Sequence, residues 1–155
     1  EVFCGNLSEA GFPSLFFDVI TVLDVLYYMA DPRAALAEMS RILKPDGLVA
    51  VEIPGLQYRL LRDRGPICWL LDRKWSRMSP ASWHLYYFSP RTITLLLRKC
   101  GFRVMKFIPA QASVGRTGLL RGLNDLHFLL GRFLCKAAGG YSIAAKELYL
   151  AVKAR

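Results

Sequence analysis

An α/β domain built on a mostly parallel sheet is the fold class the sequence predicts, and three observations carry it. Two nearly continuous apolar runs, Phe16 to Leu23 and Leu48 to Ile53, read as strands covered on both faces rather than half-exposed ones. Between them lies an eleven-residue stretch, Arg33 to Leu43, in which Ala35, Leu36, Met39, Ile42 and Leu43 share one helical face. The same alternation of helix and strand then resumes from Ser89 onward.

The first strand is Phe16-Phe17-Asp18-Val19-Ile20-Thr21-Val22-Leu23. Asp31-Pro32 follows as an N-cap with proline at the first helical position. Arg41 and Lys44 fall in or beside the last helical turn, where cations suit the helix dipole. Pro45-Asp46-Gly47 stops this helix and turns the chain into the second strand, so strand, helix and strand form a right-handed crossover. The stretch 56–83 is rich in Arg, Trp and Leu and too long for a simple connection, which predicts a lid or an inserted helical piece. Ser89-Pro90 opens another helix, with Ile93, Leu96, Leu97 and Cys100 on one face and Gly101 closing it. Phe102 to Ile108 is the next strand. A further helix is expected over 119–138, and Glu147 to Lys153 reads as a closing strand.

Composition narrows the function classes. Hydrophobic residues make up 54% and charged residues 21%, which argues for a packed, enzyme-like body. The net charge of +9 comes largely from one segment, with Arg59, Arg62, Arg64, Arg73, Lys74 and Arg77, and no nucleic-acid module surrounds it. Nucleic acid is therefore not an expected partner. The four cysteines, Cys4, Cys68, Cys100 and Cys135, form no C-x-x-C pair and fit reduced thiols packed as small hydrophobes. No metal site is expected from two histidines that lack a carboxylate pattern, and His127 fits a packed or boundary position. The 119–134 stretch is interrupted by Arg121, Asp125 and Arg132, so it does not read as a membrane span. A cytoplasmic protein is the expectation, with peripheral membrane contact through 56–83 or 119–134 as an alternative.

The run from Phe17 to Leu26, then Asp31-Pro32 and Leu43-Lys44-Pro45-Asp46-Gly47, resembles the middle of the class I, Rossmann-like S-adenosylmethionine-dependent methyltransferase family. His84-Leu85-Tyr86-Tyr87-Phe88-Ser89-Pro90, followed by Cys100-Gly101-Phe102, is similar to a second passage of that family, and Cys4-Gly5-Asn6-Leu7 to a third. The resemblance implies a partial Rossmann-like sheet with a closing antiparallel strand and a helical lid. The family's glycine-rich turn has no counterpart in the chain, and the first residue is Glu1, so one truncated domain over 1–155 is expected, inactive by itself.

What the resemblance implies for the site follows residue by residue. Ligands of open α/β sheets bind beyond the carboxyl ends of the strands. Leu23 and Asp24 then pass beside the methionyl part of S-adenosylmethionine; Asp24 alternatively only caps a turn. Asn6 stands where an acid usually contacts the adenine amino group, or is an ordinary turn residue. Leu7 packs on the adenine or in the core. Tyr28 lies over the cofactor or borders the substrate, and Tyr27 and Tyr28 replace a Glu-His pair of many relatives. His84 is the candidate general base, with positioning of substrate or lid and a purely structural role as alternatives. The expected reaction is methyl transfer to a small molecule such as a lipid, quinone-like compound or glycan intermediate. The competing expectation is a non-catalytic binding module of the same fold, possibly at a membrane surface.

Overall fold

The computed structural model describes residues 2–64, 84–110, 129 and 144–154. The helix expected over 119–138 with His127, most of the 56–83 stretch with Trp69, Trp75 and Trp83, and the cysteines Cys68 and Cys135 lie outside these residues.

Four strands form one sheet: β1 (Phe17–Leu23), β2 (Leu43–Pro54), β3 (Phe102–Ala110) and β4 (Lys146–Lys153), in the order β1-β2-β4-β3. β1 and β2 pair in parallel, whereas β4 runs antiparallel to both β2 and β3. The last strand therefore does not close the sheet at an edge. It inserts between β2 and β3, and those two run in the same direction on either side of it.

Among the described residues three helices accompany the sheet: α1 (Pro32–Ile42), α2 (Leu56–Arg64) and α3 (Pro90–Lys99). Short 3-10 turns stand at Leu7–Ala10 and Leu26–Tyr28. The caps read from sequence are present. Asp31 Oδ1 accepts from the Ala34 amide at 2.9 Å, and Ser89 Oγ accepts from Thr92 at 3.2 Å while the Ser89 amide donates to Thr92 Oγ1 at 2.8 Å. These bonds satisfy amides that a helix start leaves without intrahelical partners.

One face of the sheet carries the core. Val49, Val51 and Ile53 of β2 and Tyr149 and Ala151 of β4 point to it at the period of two that a strand imposes. Leu36 and Met39 from α1 and Ile93 and Leu97 from α3 pack against them. The expected turn at Pro45-Asp46-Gly47 is absorbed into β2 as a bulge. From Phe17↔Leu43 to Val19↔Leu48, β1 advances two residues while β2 advances five, and Asp46 takes a left-handed φ of 60°. A side chain at Gly47 would stand 2.7 Å from Leu43 Cγ and 2.9 Å from the Lys44 carbonyl, which explains the glycine there.

Among the described residues no helix is long and apolar enough to cross a membrane.

Candidate active site at the carboxyl edge of the sheet

β1 and β2 end at the same edge, and β4, running the other way, begins there. Three charged side chains meet as a result. Asp24 leaves β1 with a left-handed φ of 54°, and its amide donates to the Glu52 carbonyl at 3.2 Å. Lys146, the first residue of β4, pairs with Pro54 in register and sends its ammonium between Asp24 and Glu52. The contact to Glu52 Oε1 is 2.7 Å, and the Asp24 carboxylate is bound on the other side. Partial burial alone would lower the Lys146 value, but the hydrogen bonds to the two carboxylates outweigh it and hold the ammonium above its ordinary range.

The 3-10 turn that follows Asp24 splits two adjacent tyrosines. Tyr27 is buried, and its hydroxyl donates to Asp24 Oδ1 at 3.2 Å. Burial first, then the neighbouring Asp24 charge, pushes its phenol well above the usual tyrosine range, so it stays a donor. Tyr28 remains 44% exposed.

Residues 84–88 dock on this turn through their backbone: the Leu85 and Tyr86 amides both donate to the Tyr27 carbonyl, at 3.0 and 3.3 Å. The Tyr86 hydroxyl donates to the Ala30 carbonyl at 2.9 Å. His84 is thereby set beside both tyrosines, with ring centroids 4.3 Å from Tyr27 and 5.0 Å from Tyr28. Its Nε2 lies 3.1 Å from the Tyr28 hydroxyl, and its Nδ1 lies 2.5 Å from Nη1 of Arg59 on α2. The Arg59 guanidinium also sits 5.2 Å from the Tyr87 ring centroid. Burial, and then the Arg59 cation, lowers the His84 value; the Asp24 carboxylate works against both to a smaller extent.

Of the residues singled out from sequence, the structure brings Asp24, Tyr28 and His84 into one connected cluster. Leu23 is exposed at the end of β1 beside them. Asn6 and Leu7 occupy the separate 3-10 turn, and none of the described contacts joins Asn6 to the cluster. The Asn6 side-chain nitrogen donates to Glu9 Oε1 at 2.8 Å and its backbone amide to Oε2 at 2.9 Å, so Glu9 engages one side-chain N–H and the backbone N–H of this residue. Leu7 packs against the core.

Sequence reasoning passed over Lys146, Glu52 and Arg59. Glu52 alternates with buried Val51 and Ile53 and so had to face away from the core, but its role depends on Lys146, 94 positions later. Lys146 reaches this edge only because β4 is antiparallel. A polar residue opening a strand that ends a parallel run was the available signal. Among the described residues no group of three or more His, Cys, Asp or Glu side chains could hold a metal ion.

A family model described as "Methyltransferase domain" matches residues 3–106. An uncharacterized methyltransferase of Schizosaccharomyces pombe is 40% identical over 45 residues, which is 29% of this chain and 16% of that protein. Among solved structures, the complex between the Haloferax volcanii Trm112 methyltransferase activator and a methyltransferase aligns with a TM-score of 0.62 at 17% identity, covering 97% of this chain and 60% of that one. A SAM-dependent methyltransferase from Archaeoglobus fulgidus gives 0.57 at 14% identity, covering 98% and 66%. The [4+2]-cyclase SpnF gives 0.55 at 17% identity, covering 98% and 55%. At these identities the structural likenesses show the fold. The chain spans about three fifths of the length of these structures.

Proposed function

The chain belongs to the methyltransferase-domain family that matches residues 3–106, and on that premise we propose that its protein transfers a methyl group from S-adenosylmethionine to a small molecule. The carrying observation is the Asp24–Lys146–Glu52 cluster at the carboxyl edge of the sheet, where two carboxylates share one ammonium. That corner keeps a surplus of negative charge, which suits a cationic sulfonium donor. When bound, the cofactor supplies an activated methyl group on sulfur.

The chain's own residues then divide into two sides. Leu23 and Asp24 form the methionyl side, with Asn6 and Leu7 assigned to the adenine, and Tyr28 stands where cofactor and acceptor meet. His84 and the segment after it border the acceptor. Lys146 fixes the Asp24 carboxylate in place, and the Tyr27 hydroxyl, kept protonated by burial, donates the second contact. A pre-set carboxylate costs no reorganisation on binding, and positioning of this kind supplies much of the rate of a displacement reaction.

Lipid, quinone-like and glycan acceptors suit the exposed aromatic residues Tyr28, Tyr86 and Tyr87 around His84. The competing reading is a non-catalytic module of the same fold, since a fold by itself does not fix an activity. Calorimetry with S-adenosylmethionine and transfer of labelled methyl into such acceptors separate the two. Binding that Asp24→Ala weakens about tenfold or more, with label transferred, is the expected result. Affinity that Asp24→Ala leaves unchanged removes the assignment of Asp24.

A further inference from the structure

The hydrogen bonds around His84 have directions that its partners dictate. Arg59 carries a guanidinium, which donates and never accepts. At 2.5 Å from Arg59 Nη1, His84 Nδ1 must therefore offer its lone pair. A neutral imidazole with an unprotonated Nδ1 carries its proton on Nε2, and Nε2 faces the Tyr28 hydroxyl at 3.1 Å. The Tyr28 oxygen is then the acceptor of that bond.

We propose that His84 is not a proton acceptor in this site but a positioning residue, held by Arg59 as the neutral Nε2–H tautomer and orienting the Tyr28 hydroxyl at the carboxyl edge of the sheet. Neither ring nitrogen has a lone pair to spare for a substrate proton: one is taken by the guanidinium and the other is already protonated. Tyr28, exposed where His84 is partly enclosed, is left as the polar group that the acceptor meets. The surroundings agree. The groups facing the imidazole are Arg59 from α2, Tyr27 and Tyr28 from the 3-10 turn, Asp24 from the end of β1 and Tyr87 from its own segment. Partial burial and the Arg59 cation both disfavour an imidazolium, and the Asp24 carboxylate has the smaller, opposite effect.

The inference rests on the reading of this edge as the acceptor side, but its test needs no acceptor. The protein has two histidines, so selective 15N-histidine labelling with a His127→Gln control assigns His84. The expected spectrum at pH 7 shows a protonated Nε2 and an unprotonated Nδ1, persisting to lower pH than in a free imidazole. Tyr28→Phe should move the Nε2 resonance and leave Nδ1 nearly in place. Arg59→Met should move Nδ1 and raise the pH at which the ring is protonated. His84→Gln, which keeps an N–H near the Nε2 position, should preserve the Tyr28 ring resonances, whereas His84→Leu should shift them. An imidazolium at pH 7, an Nδ1–H tautomer, or an Nε2 signal indifferent to Tyr28→Phe overturns the proposal. If the Nε2–H signature is found and no methyl transfer is, the reaction class is wrong and the positioning of Tyr28 stands.

Discussion

Glu147 sits in the core with its side chain fully buried, next to Lys146 but on the opposite face of β4. The Tyr149 hydroxyl donates to its Oε2 at 2.6 Å, while Oε1 has no hydrogen-bond partner among the described residues. Burial raises its carboxyl from 4.5 to about 7, with the Tyr149 bond pulling weakly the other way. The folded-state value is the higher one, so the stabilising condition is low pH. Below about 4.5 the carboxyl is protonated in both states; between 4.5 and about 7 the unfolded chain gives up its proton and the folded one keeps it. Stability is lost over that window by an amount on the order of 3 kcal/mol. Glu147→Gln should therefore be more stable than the parent at pH 8, with the difference shrinking towards pH 4, as read by urea denaturation at the two pH values. Nothing in the sequence marks this residue as buried, because a Glu that opens a strand reads as a boundary residue. Asp24 was legible for the opposite reason: a carboxylate directly after an apolar run of strand length stands where such sheets bind ligands.

At the scale of elements, sequence and structure agree wherever a few neighbouring residues decide the outcome. Asp31-Pro32 and Ser89-Pro90 start α1 and α3 through contacts three residues long, so no tertiary information is needed to see them. Removing such a cap by Asp31→Ala or Ser89→Ala should cost about 1 kcal/mol in chemical denaturation without changing the fold. Agreement ends where a partner lies far along the chain. Gly55 shows the difference. It follows β2 and its amide donates to the Ala145 carbonyl at 3.0 Å, and a side chain there would meet the Ala144 carbonyl at 1.9 Å. Local sequence suggests only a glycine after a proline; the approach of the start of β4 is what forbids any other residue. Gly55→Ala should lower the denaturation midpoint far more than either cap variant, because backbone rather than a flexible side chain has to move. It should also disturb the site, since the displaced strand start carries Lys146. Weakened binding of S-adenosylmethionine alongside the loss of stability is the expected pair of observations. The bulge at residues 43–48 was likewise read as a turn, because the register of β2 on β1 cannot be seen from β2 alone.

For the whole molecule, the decisive feature is the margin of the sheet at β1, to which no other described strand pairs on its outer side. β1 is the terminal strand of the order β1-β2-β4-β3, and Val19 and Leu23 on it are 52% and 56% exposed, with Leu15 and Phe16 also exposed just before it. A margin of this kind offers unpaired backbone groups flanked by apolar side chains, which is a template for association. The 155 residues as an isolated chain should self-associate in a concentration-dependent way in sedimentation velocity, and Val19→Lys should reduce that association while leaving the helical signal unchanged. A monomer at all concentrations contradicts the prediction. The solved relatives are longer than this chain, and the alternation of strand and helix that made the fold class legible could not reveal which strand stands at the margin.

The position of β4 has one more consequence, which concerns time rather than space. Strand order places the last strand of the chain between two earlier ones, so β2 and β3 have no direct bond to each other and wait for residues 146–153 to join them. During synthesis the part of the sheet holding β1 and β2 and the part holding β3 share no strand pairing until residues 146–153 have been delivered. Lys146 arrives in that same final step, and with it the only ammonium described between Asp24 and Glu52. Assembly of the sheet and charging of the site are thus one event, and a nascent chain that has not reached residue 146 has neither.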